Sequence, residues 1–280
     1  MSLTRRRVIK AAGLSAACSA MRPFISFAAG PQASDDKQFH GLRVGVCSYS
    51  LKSFPLAGTL QTIHRLGVRY LSLKDVHLPL TSTSDQRKQV RMQAEDLGLS
   101  ITSCGVIYLK DTEAEMRQAF DYVHDLGASL AVVGVFPQQL RTLDKVIRSY
   151  DLKAAIHNHG PKDKRFPSPL EIYDAIKGLD PKIGICMDLG HTFRMHEDLV
   201  SDVKKTWDRL YSMHVKDLES DQVDAKGVSV GLGVMPIVPV LRELVRSGYK
   251  GEAQLEYEIE PKDPFMGMAE SLGFMRGALS

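Results

Sequence analysis

Residues 42–73, LRVGVCSYSLKSFPLAGTLQTIHRLGVRYLSL, contain the pattern that decides the fold. Residues 42–50 are a short apolar run, whereas residues 56–66 carry apolar side chains at helical spacing. The helix is predicted to end at Gly67, because glycine adopts the left-handed backbone of a helix C-cap without steric cost. Residues 68–73 then form a second apolar strand. Two strands joined through a helix indicate a parallel βαβ connection.

The same alternation repeats along the rest of the chain and gives eight strand–helix units. The strands are predicted at 42–50, 68–73, 99–107, 129–136, 152–157, 183–188, 210–215 and 251–257. The helices are predicted at 56–66, 86–97, 113–126, 140–150, 169–178, 198–207, 236–247 and 266–279.

Eight units in residues 42–280 predict an α/β protein built as a single (β/α)8 TIM barrel. Several strands are almost continuously apolar, as expected when both faces of a parallel sheet are covered. An open doubly wound sheet would need a glycine-rich phosphate loop after its first strand, and SYSLK (48–52) is not one.

The N-terminus is typical of an export signal. Residues 4–10, TRRRVIK, place arginines before the apolar run at 11–20, and the small residues around Ala28 suit cleavage. This pattern resembles a twin-arginine signal, so we predict a signal peptide at 1–28, a linker at 29–41 and a periplasmic or exported protein. A basic disordered tail and lipid attachment at Cys18 remain alternatives. The apolar run is too short for a stable membrane span.

Charge and cysteine content narrow the possible functions. The chain has 36 basic and 33 acidic residues, and residues 1–28 contain five of the basic ones and no acidic one. The remainder carries a net charge of −2, which gives no electrostatic basis for binding nucleic acid. Cys47, Cys104 and Cys186 lie in predicted strands and are expected to be buried and unpaired.

Chemically active side chains collect at the predicted strand ends, where TIM barrels hold their active sites. These ends are KDVH (74–77), HNHG (157–160), DLGH (188–191), HVKD (214–217) and EYE (256–258). Four histidines on three successive strand ends, together with two carboxylates, form a donor set that suits a divalent cation. The alternative is a merely polar rim.

Three segments carry a family resemblance: CMDLGHTFR (186–194), MHVKD (213–217) and GEAQLEYE (251–258). They resemble the xylose isomerase-like superfamily of sugar isomerases and epimerases. The resemblance implies a Mn, Zn, Co or Mg ion bound by His157, Asp188, His214 and Glu256. His157 stands where many relatives have a glutamate, which puts a two-carboxylate acid–base pair in doubt.

The resemblance also implies catalytic roles for residues near the metal. Glu256 is one candidate base. The second base is His159, or His157 if His157 does not bind the metal. Lys216 is a candidate for stabilising an enolate by its charge. The plainer interpretation of Lys216 is an ion pair with Asp217 or Glu258.

Five further residues are candidate substrate contacts. His191 matches a histidine that contacts substrate in relatives, and Arg194 follows it with a structural salt bridge as the alternative. Lys74 and His77 follow the second strand, where they suit a sugar or an oxyanion. Tyr49 can contact a sugar ring, with a place in the core as the alternative.

These residues predict a divalent-metal-dependent sugar isomerase or epimerase that abstracts a proton next to a carbonyl through a metal-bound enediolate. An exported lyase that eliminates from a 3-keto-glycoside is the alternative, favoured by His157 and by the export signal. A non-catalytic sugar-binding barrel also remains open. Endonuclease chemistry on abasic DNA, known in a distant relative, is disfavoured by the negative charge. The predicted partner is a small sugar or keto-sugar, and the oligomeric state is left open.

Overall fold

Eight parallel strands close into a barrel in the computed structural model, which describes residues 35–280. Each barrel strand pairs with the strand that precedes it and the strand that follows it, and the last pairs with the first. The strands are β1 (Arg43–Cys47), β2 (Tyr70–Leu73), β3 (Ser100–Tyr108), β4 (Leu130–Gly134), β5 (Lys153–His157), β6 (Ile183–Asp188), β7 (Leu210–Val215), β8 (Asp217–Leu218), β9 (Gly227–Val228) and β10 (Glu252–Leu255). Of these, β8 and β9 form a separate antiparallel pair outside the barrel.

Helices connect the barrel strands, so the predicted single (β/α)8 barrel is confirmed. They are α1 (Asp35–Gln38), α2 (Leu56–Arg65), α3 (Ser84–Asp96), α4 (Glu113–Asp125), α5 (Leu140–Ile147), α6 (Pro169–Ile176), α7 (Leu189–Phe193), α8 (Leu199–Lys205), α9 (Ile237–Arg246) and α10 (Phe265–Leu279). Among the described residues, no helix is long and apolar enough to cross a membrane.

Glycine ends three of the helices at the positions that the sequence predicts. Gly67, Gly98 and Gly127 follow α2, α3 and α4, and each has a φ of 72°. A side chain at such a φ would be strained, whereas glycine allows the chain to leave the helix and enter the next strand directly.

The two faces of the barrel strands have different compositions. Residues that point outward, such as Val46, Ile156 and Ile185, are apolar and belong to the core shared with the helices. Residues of the opposite parity form a small apolar cluster around Val132 and Ala155 and include polar side chains, of which Ser212 and Gln254 are completely buried inside the barrel. Because side chains alternate along a strand, the inner parity continues upward into the residues at the strand ends. Polar residues inside the barrel, such as Ser212, therefore lie on the same face of their strands as the candidate site residues at the strand ends.

The structure differs from the sequence-based expectations in details outside the barrel. Part of the predicted linker forms α1, and Phe39, which follows it, is fully buried in the core. Trp207, predicted in the sixth helix, instead lies in a short 3-10 turn after α8. The signal peptide and Cys18 lie outside the described residues. Cys47, Cys104 and Cys186 are buried and free, as predicted.

Asp217 fixes the long loop between β7 and α9. Its buried carboxylate accepts hydrogen bonds from four backbone N–H groups at distances of 2.9–3.2 Å. The donors belong to Leu218, Gly231, Gly233 and Met235. Both ends of the loop are therefore attached to one side chain directly after β7.

We expect Asp217→Ala to lower the free energy of unfolding by about 3 kcal/mol, because several buried N–H groups lose their acceptor at once. Urea unfolding followed by circular dichroism measures this change. Asp221→Ala, at an exposed position of the same loop, is the matched control and should change the stability by less than about 0.5 kcal/mol. Equal effects of the two substitutions would show that the loop does not depend on the Asp217 carboxylate.

Candidate metal centre

Four side chains from neighbouring barrel strands meet at the C-terminal end of the barrel. His157 ends β5, Asp188 ends β6, His214 lies on β7, and Glu256 directly follows β10. Strand register places Asp188 opposite His214, and the backbone N–H of Glu256 donates to Val215. The order of strands around the barrel thus brings together residues that are far apart in sequence.

The donor atoms of these four residues lie within 4.8 Å of one another. The Nε2 atom of His157 is 3.1 Å from Nδ1 of His214 and 3.5 Å from an Asp188 oxygen. The Nδ1 atom of His214 is in turn 3.3 Å from a Glu256 oxygen. His157 is only 3% exposed and His214 only 1%, so the cluster is closed to bulk water on most sides.

Burial and neighbouring charge set the protonation states of this cluster. Burial lowers the pKa of His157 to about 3, so that its imidazole is neutral at physiological pH. Burial alone would raise the pKa of Asp188, but the ammonium of Lys216 holds that pKa well below its ordinary value. Neutral imidazole and ionised carboxylate are the forms that bind metal ions, and His157 and Asp188 are in these forms. His214 differs: burial alone would lower its pKa, but Cys186, Cys47 and Glu256 raise that pKa well above its ordinary value, so the ring must lose a proton to bind an ion.

Lys216 connects the carboxylates of the cluster. Its Nζ atom lies 2.9 Å from Asp188, 2.6 Å from Glu256 and 3.2 Å from Glu258, and the residue is 9% exposed. Burial disfavours the charged ammonium, yet these three carboxylates raise the pKa of Lys216 well above its ordinary value. Lys216 therefore pairs with Glu258, as one interpretation predicted, and with Asp188 and Glu256 rather than with Asp217.

The residues present fit a divalent cation. Two imidazoles and two carboxylates form a donor set that suits borderline and hard ions. The Nδ1 atom of His157 and the Nε2 atom of His214 are buried and have no hydrogen-bond partner among the described residues. Four buried donor groups that converge, two of them imidazoles with an unsatisfied nitrogen, are the arrangement expected of ligands rather than of a polar rim.

His159, the predicted second base, lies next to this cluster. Its ring centroid is 4.5 Å from that of His157, and its Nε2 atom is 3.1 Å from the Tyr108 hydroxyl. Burial lowers the pKa of His159, so the imidazole is neutral near pH 7 and able to accept a proton. The guanidinium of Arg165 lies over the Tyr108 ring at 4.8 Å and completes this side of the centre.

His191 and Arg194 lie on the side formed by α7. The ring of His191 is 6.0 Å from that of His157, and its backbone N–H donates to Asp188, which caps α7. Arg194 donates a hydrogen bond to the carbonyl of Ala225 at 2.7 Å. The alternative interpretation of Arg194 was a structural salt bridge, whereas this contact is to the backbone. A cavity of about 230 Å³ beside the centre is lined by Arg194, by Lys216 and other residues of the β7–α9 loop, and by residues 255–259 around Glu256.

Other candidate contacts are tied mainly to the protein itself. Lys74 forms an ion pair with Asp75 and donates to the Val106 carbonyl at 2.8 Å. The Nε2 atom of His77 is 2.9 Å from the carbonyl of Ser48. Tyr49 accepts a hydrogen bond from Lys52, whose ammonium also lies 4.3 Å from the ring centroid. None of these described contacts reaches the four donors directly, so their substrate-binding roles stay predictions.

Three residues near the centre were not singled out as site residues in the sequence. Asn158 accepts from the backbone N–H of Asp188 and donates to Thr192, and thereby aligns the ends of β5 and β6. Tyr108 follows the predicted third strand directly, so its position at a strand end was an available signal. Cys186 lies close to His157 and His214. The only sequence signal for it is that it precedes Asp188 by two residues on β6, so that both side chains point into the barrel.

A larger cavity lies at the opposite end of the barrel. It has a volume of about 730 Å³ and is lined by residues at the starts of strands, among them Arg43, Lys153, Leu210 and Glu252. TIM-barrel active sites lie at the C-terminal ends of strands, so the smaller cavity beside the four donors is the candidate substrate pocket.

The class of protein follows from comparison with known families. The sequence profile of the xylose isomerase-like TIM barrel family matches residues 60–278, and the chain belongs to this family. No curated protein matches the sequence.

Solved structures share the fold. An uncharacterized protein from Parabacteroides distasonis is 25% identical, with a TM-score of 0.66 over 84% of this chain and 98% of that one. A 3-keto-D-glucoside 4-epimerase from E. coli is 16% identical, with a TM-score of 0.69 over 84% and 99%. The probable 3-DHS dehydratase of petrobactin synthesis from Bacillus anthracis is 12% identical, with a TM-score of 0.70 over 84% and 98%.

Proposed function

We propose that the chain is a divalent-metal-dependent sugar isomerase or epimerase that removes a proton from the carbon next to a carbonyl. The observation that carries this proposal is the convergence of His157, Asp188, His214 and Glu256 at the C-terminal end of the barrel. A divalent ion held there would polarise the substrate carbonyl and acidify the adjacent C–H bond. Family membership supports the same class of reaction.

Glu256 and His159 are our candidates for moving the proton. Burial would raise the pKa of Glu256, but Lys216 and His214 lower it, so the carboxylate is ionised and able to accept a proton. His159 supplies a neutral imidazole beside His157. Removal of a proton by one group and its return by the other, from a different direction, is the requirement for epimerisation. The Lys216 ammonium favours negative charge that develops on the substrate oxygen.

A lyase that acts on 3-keto-glycosides is the second candidate. It shares the first proton removal and then expels a leaving group from the neighbouring carbon. Two observations favour it: His157 stands where many relatives have a glutamate, and the fold is similar to that of the probable 3-DHS dehydratase. Elimination needs only one base, so Glu256 or His159 alone suffices.

Solvent exchange tests the step that both candidates share. The protein, loaded with Mn²⁺, Co²⁺ or Zn²⁺, is incubated in D2O with a panel of keto-sugars and 3-keto-glycosides. We expect deuterium at the carbon next to the carbonyl, detected by NMR, together with an epimer, an isomer or a released aglycone. Glu256→Gln should slow exchange by about 10²–10⁴-fold, whereas Glu95→Gln on the outer helix α3 should not. Metal binding without exchange on any substrate would favour a sugar-binding barrel instead.

A further inference from the structure

A buried thiol lies directly below the four donors. Cys186 precedes Asp188 by two residues on β6, so the alternation of side chains puts both on the inner face of the barrel. Strand register pairs Cys186 with His157 on β5. Cys186 is 0% exposed and free, and its sulfur lies within 4.8 Å of donor atoms of His157 and His214.

Each of the two histidines has one ring nitrogen without a hydrogen-bond partner among the described residues. The contact of 3.1 Å between the two rings joins Nε2 of His157 to Nδ1 of His214. The other nitrogen of each ring is buried and has no hydrogen-bond partner among the described residues. A buried polar atom without a partner costs about 1–3 kcal/mol, so two of them on neighbouring rings point to a ligand.

We propose that the centre has a second, deeper metal-binding mode, in which a thiophilic divalent cation is held by His157, Cys186 and His214. Thiolate and imidazole together select Zn²⁺, Cd²⁺ or Co²⁺, whereas the carboxylates of Asp188 and Glu256 suit harder ions such as Mn²⁺ and Mg²⁺. The two modes share both histidines and therefore exclude each other. The inference rests on the proposed function, because it assumes that the four donors bind the catalytic ion.

The chemistry of the deeper mode is simple ligand exchange. The Cys186 thiol loses its proton to solvent, the thiolate replaces a water molecule on the ion, and no oxidation or reduction takes place. Two residues of a strand span roughly 6–7 Å, so an ion at Cys186 lies deeper in the barrel than one at Asp188. A thiophilic ion in the deeper mode would occupy the histidines without reaching a substrate in the cavity, and would inhibit the enzyme.

Cobalt absorption distinguishes the two modes, because a cobalt–thiolate bond gives an intense near-ultraviolet charge-transfer band that carboxylate and imidazole ligands do not give. We expect the full chain titrated with Co²⁺ to develop this band. Cys186→Ser should lose the band and still bind Co²⁺ through the upper donors. Cys104→Ser, which removes another buried free thiol, on β3, is the matched control and should keep the band. Cadmium should inhibit the Mn²⁺-activated wild type and inhibit Cys186→Ser at least about tenfold less.

The possible outcomes separate this inference from the proposed function. Bound Co²⁺ without the band in the wild type overturns the deeper mode and leaves the carboxylate centre intact. A band that persists in Cys186→Ser, or that disappears only in Cys47→Ser, also overturns it. Failure of every variant to bind metal overturns both proposals. If Cys186→Ser does not fold, ¹¹³Cd NMR of the wild type reports thiolate ligation directly, and an unshifted resonance overturns the inference.

Discussion

His214→Ala is expected to remove the bound divalent metal from the purified protein and to lower kcat/KM by about 10³-fold or more. His214 contacts both His157 and Glu256, so its loss removes a central member of the donor cluster and its contacts with two others. A metal ion contributes several kcal/mol of transition-state stabilisation, which corresponds to about 10²–10⁴ in rate. Elemental mass spectrometry of the protein, with turnover measured on the substrate found by deuterium exchange, gives both values.

His124→Ala is the matched control for this experiment. His124 is exposed on α4, so its loss removes an imidazole without touching the centre. Its metal content and turnover should equal those of the wild type, and circular dichroism should show that both variants are folded. A folded His214→Ala protein that keeps a full complement of metal would show that the ion binds elsewhere, and the enzymatic proposal would lose its basis.

The barrel was predictable because its signals are local. Each strand–helix unit carries its own apolar run, its own helical spacing and often its own terminal glycine, as at Gly67 and Gly98. The positions of α7 and Trp207 were not predictable in the same way. Asp188 caps α7 through a hydrogen bond to the N–H of His191, although the same residue also belongs to the metal cluster. The 3-10 turn at Trp207 depends on how the chain enters β7.

The candidate site was predictable as a set of residues, and its internal arrangement was not. The strand ends predicted a rim of four histidines and two carboxylates, since parallel strands present their C-terminal ends at the same rim. The family resemblance then singled out His157, Asp188, His214 and Glu256. Pairing among them depends on register between strands, which the sequence does not encode locally. The sequence therefore predicted Asp217 or Glu258 as the partner of Lys216. In the folded barrel Lys216 pairs with Glu258, Asp188 and Glu256, and not with Asp217.

Electrostatics links Lys216 to the metal. Asp188 and Glu256 bring two negative charges into the cluster, and the neutral imidazole of His157 adds none. The ammonium of Lys216 lies within 3 Å of both carboxylates and offsets part of this charge. A divalent ion bound by the four donors would stabilise the same two groups. A bound ion would therefore compensate the same two carboxylates, Asp188 and Glu256, that Lys216 compensates.

Lys216→Met should accordingly make the stability of the protein depend on metal. Without metal, the substitution leaves two buried carboxylates uncompensated, which is expected to lower the free energy of unfolding by about 3 kcal/mol. A metal concentration of 100 Kd adds about 2.7 kcal/mol to a protein whose folded state alone binds the ion. The variant is expected to gain more than the wild type at the same Mn²⁺ concentration, because loss of the ammonium leaves Asp188 and Glu256 free to bind the cation more tightly. Turnover should still fall by about 10²-fold with metal bound, since the charge next to the substrate oxygen is lost. Urea unfolding in EDTA and in excess Mn²⁺ measures the first two effects.

Lys177→Met provides the comparison, because Lys177 pairs with Asp174 on the protein surface and such pairs contribute at most about 1 kcal/mol. Its stability should differ little from that of the wild type in EDTA and in Mn²⁺. If Lys216→Met is as stable as the wild type in EDTA, Lys216 does not compensate the cluster. If Mn²⁺ stabilises Lys216→Met no more than it stabilises the wild type, the ion and the ammonium do not compensate the same two carboxylates, and the link between Lys216 and the metal is wrong. Only a loss in EDTA that Mn²⁺ reverses, together with reduced turnover, places the ammonium and the ion on the same two carboxylates.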